Sequence, residues 1–175
     1  VKPKLNSLVN RKDPPSDLWT KCGCGERMLY VSDLKENLHV CSYCDQHMYI
    51  DFESRFKQLF DDEKFELIEI PIENNDPLKF KDLKKYTDRL KDAQQKTKQK
   101  DAAHVATGQI GGTTVCIFLL DFKFMGGSMG QFVGEAFKIG CQKAVELNCP
   151  FISIASSGGA RMQEGLVSLM QLPKT

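Results

Sequence analysis

No stretch of this 175-residue chain approaches the roughly 20 consecutive apolar residues that a helix needs to cross a membrane. No apolar secretory core follows residues 1–4 either. The chain also lacks an excess of charge: 24 Lys and Arg against 23 Asp and Glu give a net charge of +1, so no global field selects nucleic acid or an anionic surface. We therefore expect a cytosolic protein that has no membrane partner.

Two nucleotide-binding signatures are also missing. The sequence contains no G-x-G-x-x-G, and neither of its glycine-rich loops carries a P-loop lysine. Residues 126–130 (GGSMG) formally match the G-x-S-x-G of serine hydrolases, a fold in which the histidine follows the serine. Here the three histidines, His39, His47 and His104, all precede Ser128. A serine hydrolase that uses Ser128 is therefore an alternative that the order of these residues does not favour.

Four of the seven cysteines form two close pairs. Cys22 and Cys24 are followed, a short hairpin later, by Cys41 and Cys44. The odd total and the paired spacing favour a metal site in a reducing compartment over disulfides. Two such pairs are typical of a zinc ribbon, in which four thiolates complete a structural site with no open position for water. The first pair has one intervening residue instead of the favoured two, which weakens this prediction.

Three alternatives remain open for this module. The cysteines could be free thiols in a degenerate module that binds no metal. His39 and His47 flank the second cysteine pair, and either could replace a poorly placed thiolate. Zinc ribbons also often touch nucleic acid, which gives a binding-module hypothesis. Residues 1–60 carry nine Lys and Arg against eight Asp and Glu, so a basic footprint does not support it.

Composition divides the chain into four zones: an arm over 1–20, the cysteine module over 21–50, a charged and mainly helical connector over 51–105, and the start of an α/β domain over 106–175. In the connector, Leu83, Tyr86, Leu90 and Ala93 recur at spacings of three and four and predict one docked helical face. Residues 79–101 hold nine Lys and Arg against four Asp, which favours a solvated surface over one for phosphates. Because the chain starts at Val and stops after an amphipathic segment, we expect a fragment.

The last zone contains two successive units in which a strand leads through glycines into a helix. Residues 113–120 predict a strand, residues 124–130 (FMGGSMG) a loop, and the next apolar face recurs at helical spacing. Residues 150–154 predict a short buried strand that leads into residues 155–164 (ASSGGARMQE) and a second helical pattern. Such a turn can present N–H groups to a phosphate or to an oxygen that becomes anionic during reaction. Arg161, which opposes the helix dipole in the first turn, is expected to serve a ligand or to pair with Glu164.

The residues of the first predicted helical face are Val133, Ala136, Phe137, Gly140, Cys141 and Ala144, and those of the second are Leu166, Val167, Leu169 and Met170.

Several stretches together resemble one family, the carboxyltransferase β subunit of bacterial acetyl-CoA carboxylase. They are LWTKC at 18–22, NLHVC at 37–41, DPLKF at 76–80, KKYTDRL at 84–90, FMGGSMG at 124–130, SGGARMQE at 157–164 and SLMQ at 168–171. The similarity spans nearly the whole chain in the family's order. The sequence departs from the family pattern in the first cysteine pair, which normally has two intervening residues.

The resemblance implies an α/β fold of the crotonase type, a ββα superhelix that is incomplete at the C-terminus and preceded by a small zinc ribbon. The implied zinc ligands are Cys22, Cys24, Cys41 and Cys44. The implied reaction moves a carboxyl group from carboxybiotin, on the biotin carboxyl carrier protein, to acetyl-CoA, giving malonyl-CoA in the first committed step of fatty acid biosynthesis. The implied partners are a carboxyltransferase α subunit, in an α2β2 heterotetramer, and biotin carboxylase.

The resemblance also suggests roles within the two glycine loops. Gly158, Gly159 and Ala160 are the expected backbone N–H donors to an enolate oxygen, and Gly126, Gly127 and Ser128 are expected to line the acetyl-CoA path. Arg161 would meet a phosphate of coenzyme A or fix the loop. The biotin, rather than a side chain, would take the proton. In this family a second glycine pair beyond residue 175 completes the oxyanion site, so we expect this chain to be inactive alone.

Overall fold

The computed structural model describes residues 18–25, 27–71, 76 and 78–175. Most of the predicted N-terminal arm lies outside these residues. The chain divides into two compact units, Val1–Ile50 and Asp51–Thr175. Among the helices of the described residues, none combines the length and the apolar character needed to cross a membrane.

The smaller unit contains a short hairpin and one helix. Strand β1 (Trp19–Lys21) pairs antiparallel with β2 (Met28–Tyr30), and helix α1 (Val31–Glu36) follows directly. Its buried residues are Cys22, Leu29, Leu34 and Cys41, with Met48 packed against them. Because two cysteines make up half of so small a core, this unit needs a further source of stability such as a bound metal.

The larger unit is built on a four-stranded sheet of order β3-β4-β5-β6. The strands are β3 (Phe65–Leu67), β4 (Ala103–Ile110), β5 (Thr113–Leu120) and β6 (Phe151–Ile154). The first three are antiparallel, and β6 runs parallel to β5. The helices are α2 (Phe52–Leu59), α3 (Tyr86–Thr97), α4 (Gln131–Glu146) and the single turn α5 (Leu166–Leu169).

Strand β5 is apolar throughout because both of its faces are covered. Cys116, Phe118 and Leu120 belong to the core beneath α3 and α4. The alternate residues Val115, Ile117 and Leu119 pack with α2 on the opposite face. Side chains alternate along a strand, so one continuous apolar run serves two helical layers. The predicted strand over 113–120 is confirmed, and so is the predicted helix, whose Val133, Ala136, Gly140 and Ala144 are buried.

Two expectations about residues 51–105 differ from the structure. Residues 51–105 are not a mainly helical connector, because they supply β3, which pairs with β4 in the main sheet. Leu83 is fully exposed since α3 begins only at Tyr86, although Tyr86 and Leu90 are buried as predicted. Spacing alone could not show where the helix starts.

The second strand–helix unit is weaker than the sequence suggests. Strand β6 is the last strand of the described sheet, and none of its residues is fully buried. After a short 3-10 turn, Met162–Glu164, Gly165 at φ +52° interrupts the chain before the four residues of α5. Leu166 is 70% exposed and Met170 57% exposed, so the predicted apolar face does not reach this core. No long helix follows the second glycine loop in the described chain.

Candidate active site and metal centre

The two glycine loops lie side by side at the carboxyl ends of the parallel strands β5 and β6. The N–H of Gly158 donates to the carbonyl of Gly126 at 2.9 Å. The N–H of Met129 donates to Gly159 O, and Met129 O accepts from the N–H of Arg161, both at 2.8 Å. These bonds extend the parallel pairing of the strands beyond the sheet. The first loop (residues 124–130) and the second loop (residues 155–161) therefore form one ledge at the edge where α/β sheets bind ligands.

The close approach of the loops requires a glycine at position 127. Its φ is +63°, in the left-handed region that favours glycine. A Cβ at this position would also overlap the carbonyl oxygen of Ser156 in the second loop. Gly127 thus sets how closely the loops can pack.

The three predicted oxyanion donors differ in what their N–H groups already bind. The N–H of Gly158 donates to Gly126 O, and the N–H of Gly159 donates to the hydroxyl of Ser157 at 3.0 Å. Among the described residues, no acceptor takes the N–H of Ala160, a residue at the solvent-exposed surface of the ledge. Ala160 is accordingly the best placed of the three to donate to a ligand.

Arg161 lies beneath the ledge, where its side chain is wholly buried. Its guanidinium forms a two-pronged ion pair with Asp101, with Nη1–Oδ2 at 2.7 Å and Nη2–Oδ1 at 2.8 Å. Nε donates to Ser128 Oγ at 3.0 Å, and Nη2 also donates to Ser128 O at 2.9 Å. Of the two roles that the sequence leaves open, Arg161 fixes the loop in this structure and presents no free face to a phosphate.

Glu164 completes this buried network. Its Oε1 accepts from the Tyr86 hydroxyl at 2.6 Å and lies 3.4 Å from Arg161 Nη1, as the sequence pairing predicted. Its Oε2 accepts from the N–H of Gln131 at 2.6 Å, so it caps the first turn of α4, where negative charge is favoured. One carboxylate therefore links α3, α4 and the second loop.

The electrostatics of the network follow from burial and pairing. Burial alone would lower the pKa of Arg161, but the hydrogen bonds and charge of Asp101 outweigh it, so the pKa is raised. Burial, with the hydrogen bond to Glu164, raises the pKa of Tyr86. Both groups keep their protons at neutral pH, and neither is available as a base.

Sequence reasoning missed Asp101 and Tyr86 as members of this site. Asp101 lies 60 positions before Arg161, and Tyr86 was assigned only to a helical face. An acidic residue just before an apolar strand gives no spacing signal that would pair it with a distant arginine.

Ser128 has no catalytic partner among the described residues. Its hydroxyl accepts from Arg161, and no histidine is hydrogen-bonded to it. His104 instead stacks on Phe52 with ring centroids 3.6 Å apart, and burial lowers its pKa to about 4. The geometry gives no support to a serine nucleophile.

In the smaller unit the predicted metal ligands come together. The thiols of Cys22, Cys41 and Cys44 lie within 4.8 Å of one another, and Cys22 Sγ is 3.4 Å from Cys44 Sγ. The thiol of Cys24 also interacts with that of Cys22, but it is not one of the three thiols that all lie within 4.8 Å of one another. Four thiolates about 2.3 Å from a tetrahedral zinc ion would lie about 3.8 Å apart, and the observed spacing fits such an ion. No histidine joins the described cluster.

The protonation of these thiols agrees with a metal centre. The backbone N–H of Tyr43 is the main cause that lowers the pKa of Cys41, to about 7. The N–H of Cys24 acts to lower the pKa of Cys22, but burial and the three neighbouring thiols outweigh it and raise the pKa to about 12. Thiols this close together cannot all lose their protons unless a bound divalent cation balances the negative charge of the thiolates.

The family model described as "Carboxyl transferase domain" matches residues 69–174, which include both glycine loops and the buried network. The chain belongs to the carboxyl transferase domain family. This confirms the family assignment that the sequence motifs indicated.

Relatives of this carboxyl transferase domain protein extend the match to the whole chain. It is 47% identical over 176 residues to the acetyl-coenzyme A carboxylase carboxyl transferase subunit beta of Jannaschia sp. (strain CCS1), covering 100% of this chain and 55% of the relative. It is also 47% identical to the subunit of the same name from Xanthobacter autotrophicus, covering 59% of that protein. The chain thus spans somewhat more than half the length of the curated relatives it matches.

Solved structures support the fold of this carboxyl transferase domain. The crystal structure of transcarboxylase 12S with methylmalonyl-coenzyme A and methylmalonic acid bound aligns with a TM-score of 0.53 at 26% identity, over 69% of this chain and 21% of the other. The predicted fold class, an α/β domain of the crotonase type with a cysteine module, is confirmed by this likeness and by the gathered cysteines.

Proposed function

We propose that this protein acts as the β subunit of an acetyl-CoA carboxylase carboxyltransferase and carries a carboxyl group from carboxybiotin to acetyl-CoA, forming malonyl-CoA. The observation that carries the proposal is the ledge of two glycine loops within the matched carboxyl transferase domain. The identity of 47% along the whole of this chain to a subunit of that name, of which the match covers 55%, supports the choice of substrate.

The reaction needs a site that stabilises negative charge on a thioester oxygen. The methyl carbon of the acetyl group loses a proton, and a C–C bond then forms to the transferred carboxyl carbon, whose bond to the biotin nitrogen breaks. Between these steps the charge rests on the enolate oxygen. Fixed N–H donors in a water-poor site stabilise such an oxygen, and loss of one donor costs about 10²–10³-fold in kcat in comparable enzymes.

In our proposal the N–H of Ala160 is the principal donor from this chain. No acceptor among the described residues takes this N–H, and the bonds on both sides of it, from Met129 to Gly159 O and from Arg161 to Met129 O, hold the peptide in place. The N–H of Gly159 is a second donor once the rotatable Ser157 hydroxyl turns away. The N–H of Gly158 holds the loops together instead.

The side chains around the ledge fix the positions of the two glycine loops, and the proton of the acetyl group is taken up on the biotin side of the site. The ionisable groups of the buried network, Asp101, Arg161 and Glu164, are each hydrogen-bonded within it. None of them is placed as a base for the acetyl carbon. We propose that acetyl-CoA lies along Gly126, Gly127 and Ser128, with Arg161 fixing this path from below.

The proposal extends to cofactors and partners. Zinc, held by Cys22, Cys24, Cys41 and Cys44, is structural. Carboxybiotin arrives on the biotin carboxyl carrier protein after biotin carboxylase has loaded it, and an α subunit supplies the biotin side of the site in an α2β2 assembly. The protein works in the cytoplasm in fatty acid synthesis.

The test measures malonyl-CoA formation by the full-length protein with its α partner and carboxybiotin. Ala160→Pro removes the N–H while leaving the flanking bonds, and should lower kcat about 10²–10³-fold with little change in the KM for acetyl-CoA. Ala160→Ser retains the N–H and serves as the control. No malonyl-CoA from the wild-type pair would refute the function, whereas an unchanged kcat in the proline variant would refute only the donor. The 175-residue chain alone should be inactive.

A further inference from the structure

The smaller unit contains a cavity of about 220 Å³ that takes no part in the proposed metal site or in carboxyl transfer. It lies between the β1–β2 hairpin, α1 and the turn that carries the second cysteine pair. Its lining residues are Trp19, Met28, Leu29, Tyr30, Asp33, Leu34, Asn37, Val40, Ser42 and Tyr43.

Three aromatic rings border this cavity. Trp19 and Tyr30 are cross-strand partners whose ring centroids are 5.3 Å apart, and Tyr43 comes from the cysteine turn. Trp19 is 54% exposed and Tyr43 is 63% exposed, so both side chains are open to solvent. Aromatic faces around an open cavity are suited to binding a cation.

The charge of the lining favours the same class of ligand. Asp33 is the one lining residue with a formal charge, and no lysine or arginine lines the described cavity. The Arg27 guanidinium lies 4.3 Å from the centroid of the Tyr43 ring, so one face of this ring is already covered within the chain, and the exposed rings of Trp19 and Tyr30 are the ones open to a ligand. Among the lining residues themselves, an anion such as a nucleic-acid phosphate would meet the carboxylate of Asp33 and no cationic group.

We propose that this cavity, bounded by Trp19, Tyr30 and Tyr43 with Asp33 in its wall, binds a lysine or arginine side chain of a partner polypeptide. The apolar lining from Met28 and Leu29 would contact the methylenes of such a side chain, while its charged end meets the rings and the carboxylate. The proposal goes beyond carboxyl transfer and does not depend on it. It makes the smaller unit a docking module for a basic segment.

The single tryptophan of the chain provides the measurement, because Trp19 lines the cavity. Tryptophan fluorescence of the 175-residue chain is titrated with four matched tripeptides, acetyl-Gly-X-Gly-amide, in which X is Lys, Arg, norleucine or Glu. The Lys and Arg peptides should change the Trp19 emission with saturation, and norleucine, of similar length without the charge, should bind more weakly. The Glu peptide should give no saturable change.

Variants separate the carboxylate from general charge effects. Asp33→Asn should weaken Lys-peptide binding about two- to fivefold, the range for a partly exposed ion pair. Glu36→Gln removes a charge from the same helix outside the lining and should change nothing. Equal binding of Lys and norleucine peptides would overturn the proposal, as would Trp19 quenching by a single-stranded RNA oligonucleotide with no response to lysine. If Asp33→Asn does not fold, the four-peptide comparison in the wild type still decides.

Discussion

Gly126 and Gly127 show at the residue scale how one close approach shapes the candidate site. Their φ values, +66° and +63°, are nearly equal, but only a Cβ at Gly127 would overlap the Ser156 carbonyl. We predict that Gly126→Ala lowers the free energy of unfolding by about 1–2 kcal/mol through left-handed strain alone. Gly127→Ala should cost about 1–3 kcal/mol more, because the loops must separate. Urea unfolding followed by far-UV circular dichroism measures both; equal losses would show that the loops are not in tight contact.

His104 gives a prediction about pH. Burial lowers its pKa to about 4, while the carboxylates of Asp121 and Asp101 oppose the shift. An unfolded chain protonates this imidazole below about pH 6.5, but the folded chain does not until about pH 4. The neutral, buried imidazole of His104 is therefore fully compatible with the fold above pH 6.5, and this contribution to the free energy of unfolding is lost as the pH falls towards 4. The free energy of unfolding decreases by about 3 kcal/mol over this range because of His104.

The variant His104→Phe tests this contribution. Phenylalanine keeps the stacking on Phe52 and removes the buried Nε2, which has no hydrogen-bond partner in the described chain. Between pH 6.5 and 4.5 the wild type should lose more free energy of unfolding than the variant, since carboxylate titration is common to both. Parallel losses in the two proteins would contradict the assignment of a low pKa to His104.

At the scale of elements, the cysteine module should depend on its metal. Its strands are three residues long and two of its core residues are cysteines, so apolar burial alone cannot hold it. We predict one zinc per chain by elemental analysis, lost in Cys41→Ser together with the hairpin signals in NMR spectra. Cys141→Ser, in α4, serves as the control and should retain the zinc. A purified chain without stoichiometric zinc would refute the structural role.

The elements also show what the sequence could predict. Strand β5 and helix α4 each carry a long periodic pattern that packing reinforces, and both were predicted with nearly correct limits. Strand β3 was missed, because three residues in a charged stretch show no alternation of apolar and polar side chains. The strand forms because its pairing with β4 stabilises an extended conformation that its own residues favour only weakly. The length of the second predicted helix was overestimated, because Gly165 at positive φ separates the turn Met162–Glu164 from the four residues of α5.

At the scale of the whole chain, the glycine loops were identifiable from sequence but their support was not. The residues of the ledge follow one another within two short motifs. The buried ion pair beneath it joins Asp101, ahead of β4, to Arg161 after β6, and adds Tyr86 from α3. Such a network depends on how the strands and helices stack, which no local pattern encodes. It explains why a cation can occupy the beginning of a helical turn, where the dipole disfavours it.

This network should dominate the stability of the larger unit. Asp101→Asn leaves the buried Arg161 with Glu164 as its remaining anionic partner, at 3.4 Å, and removing one member of a buried ion pair costs about 3–5 kcal/mol. Asp82→Asn breaks the ion pair with Arg89, which is 35% exposed on each side, and should cost less than about 1 kcal/mol. The free energy of unfolding of both variants is compared by urea unfolding.

Since the guanidinium of Arg161 holds Ser128 and the second loop, Asp101→Asn should also lower kcat for malonyl-CoA formation in the full-length complex under conditions where the variant remains folded. A folded Asp101→Asn variant with wild-type stability and kcat would show that the ledge is held by its backbone bonds alone.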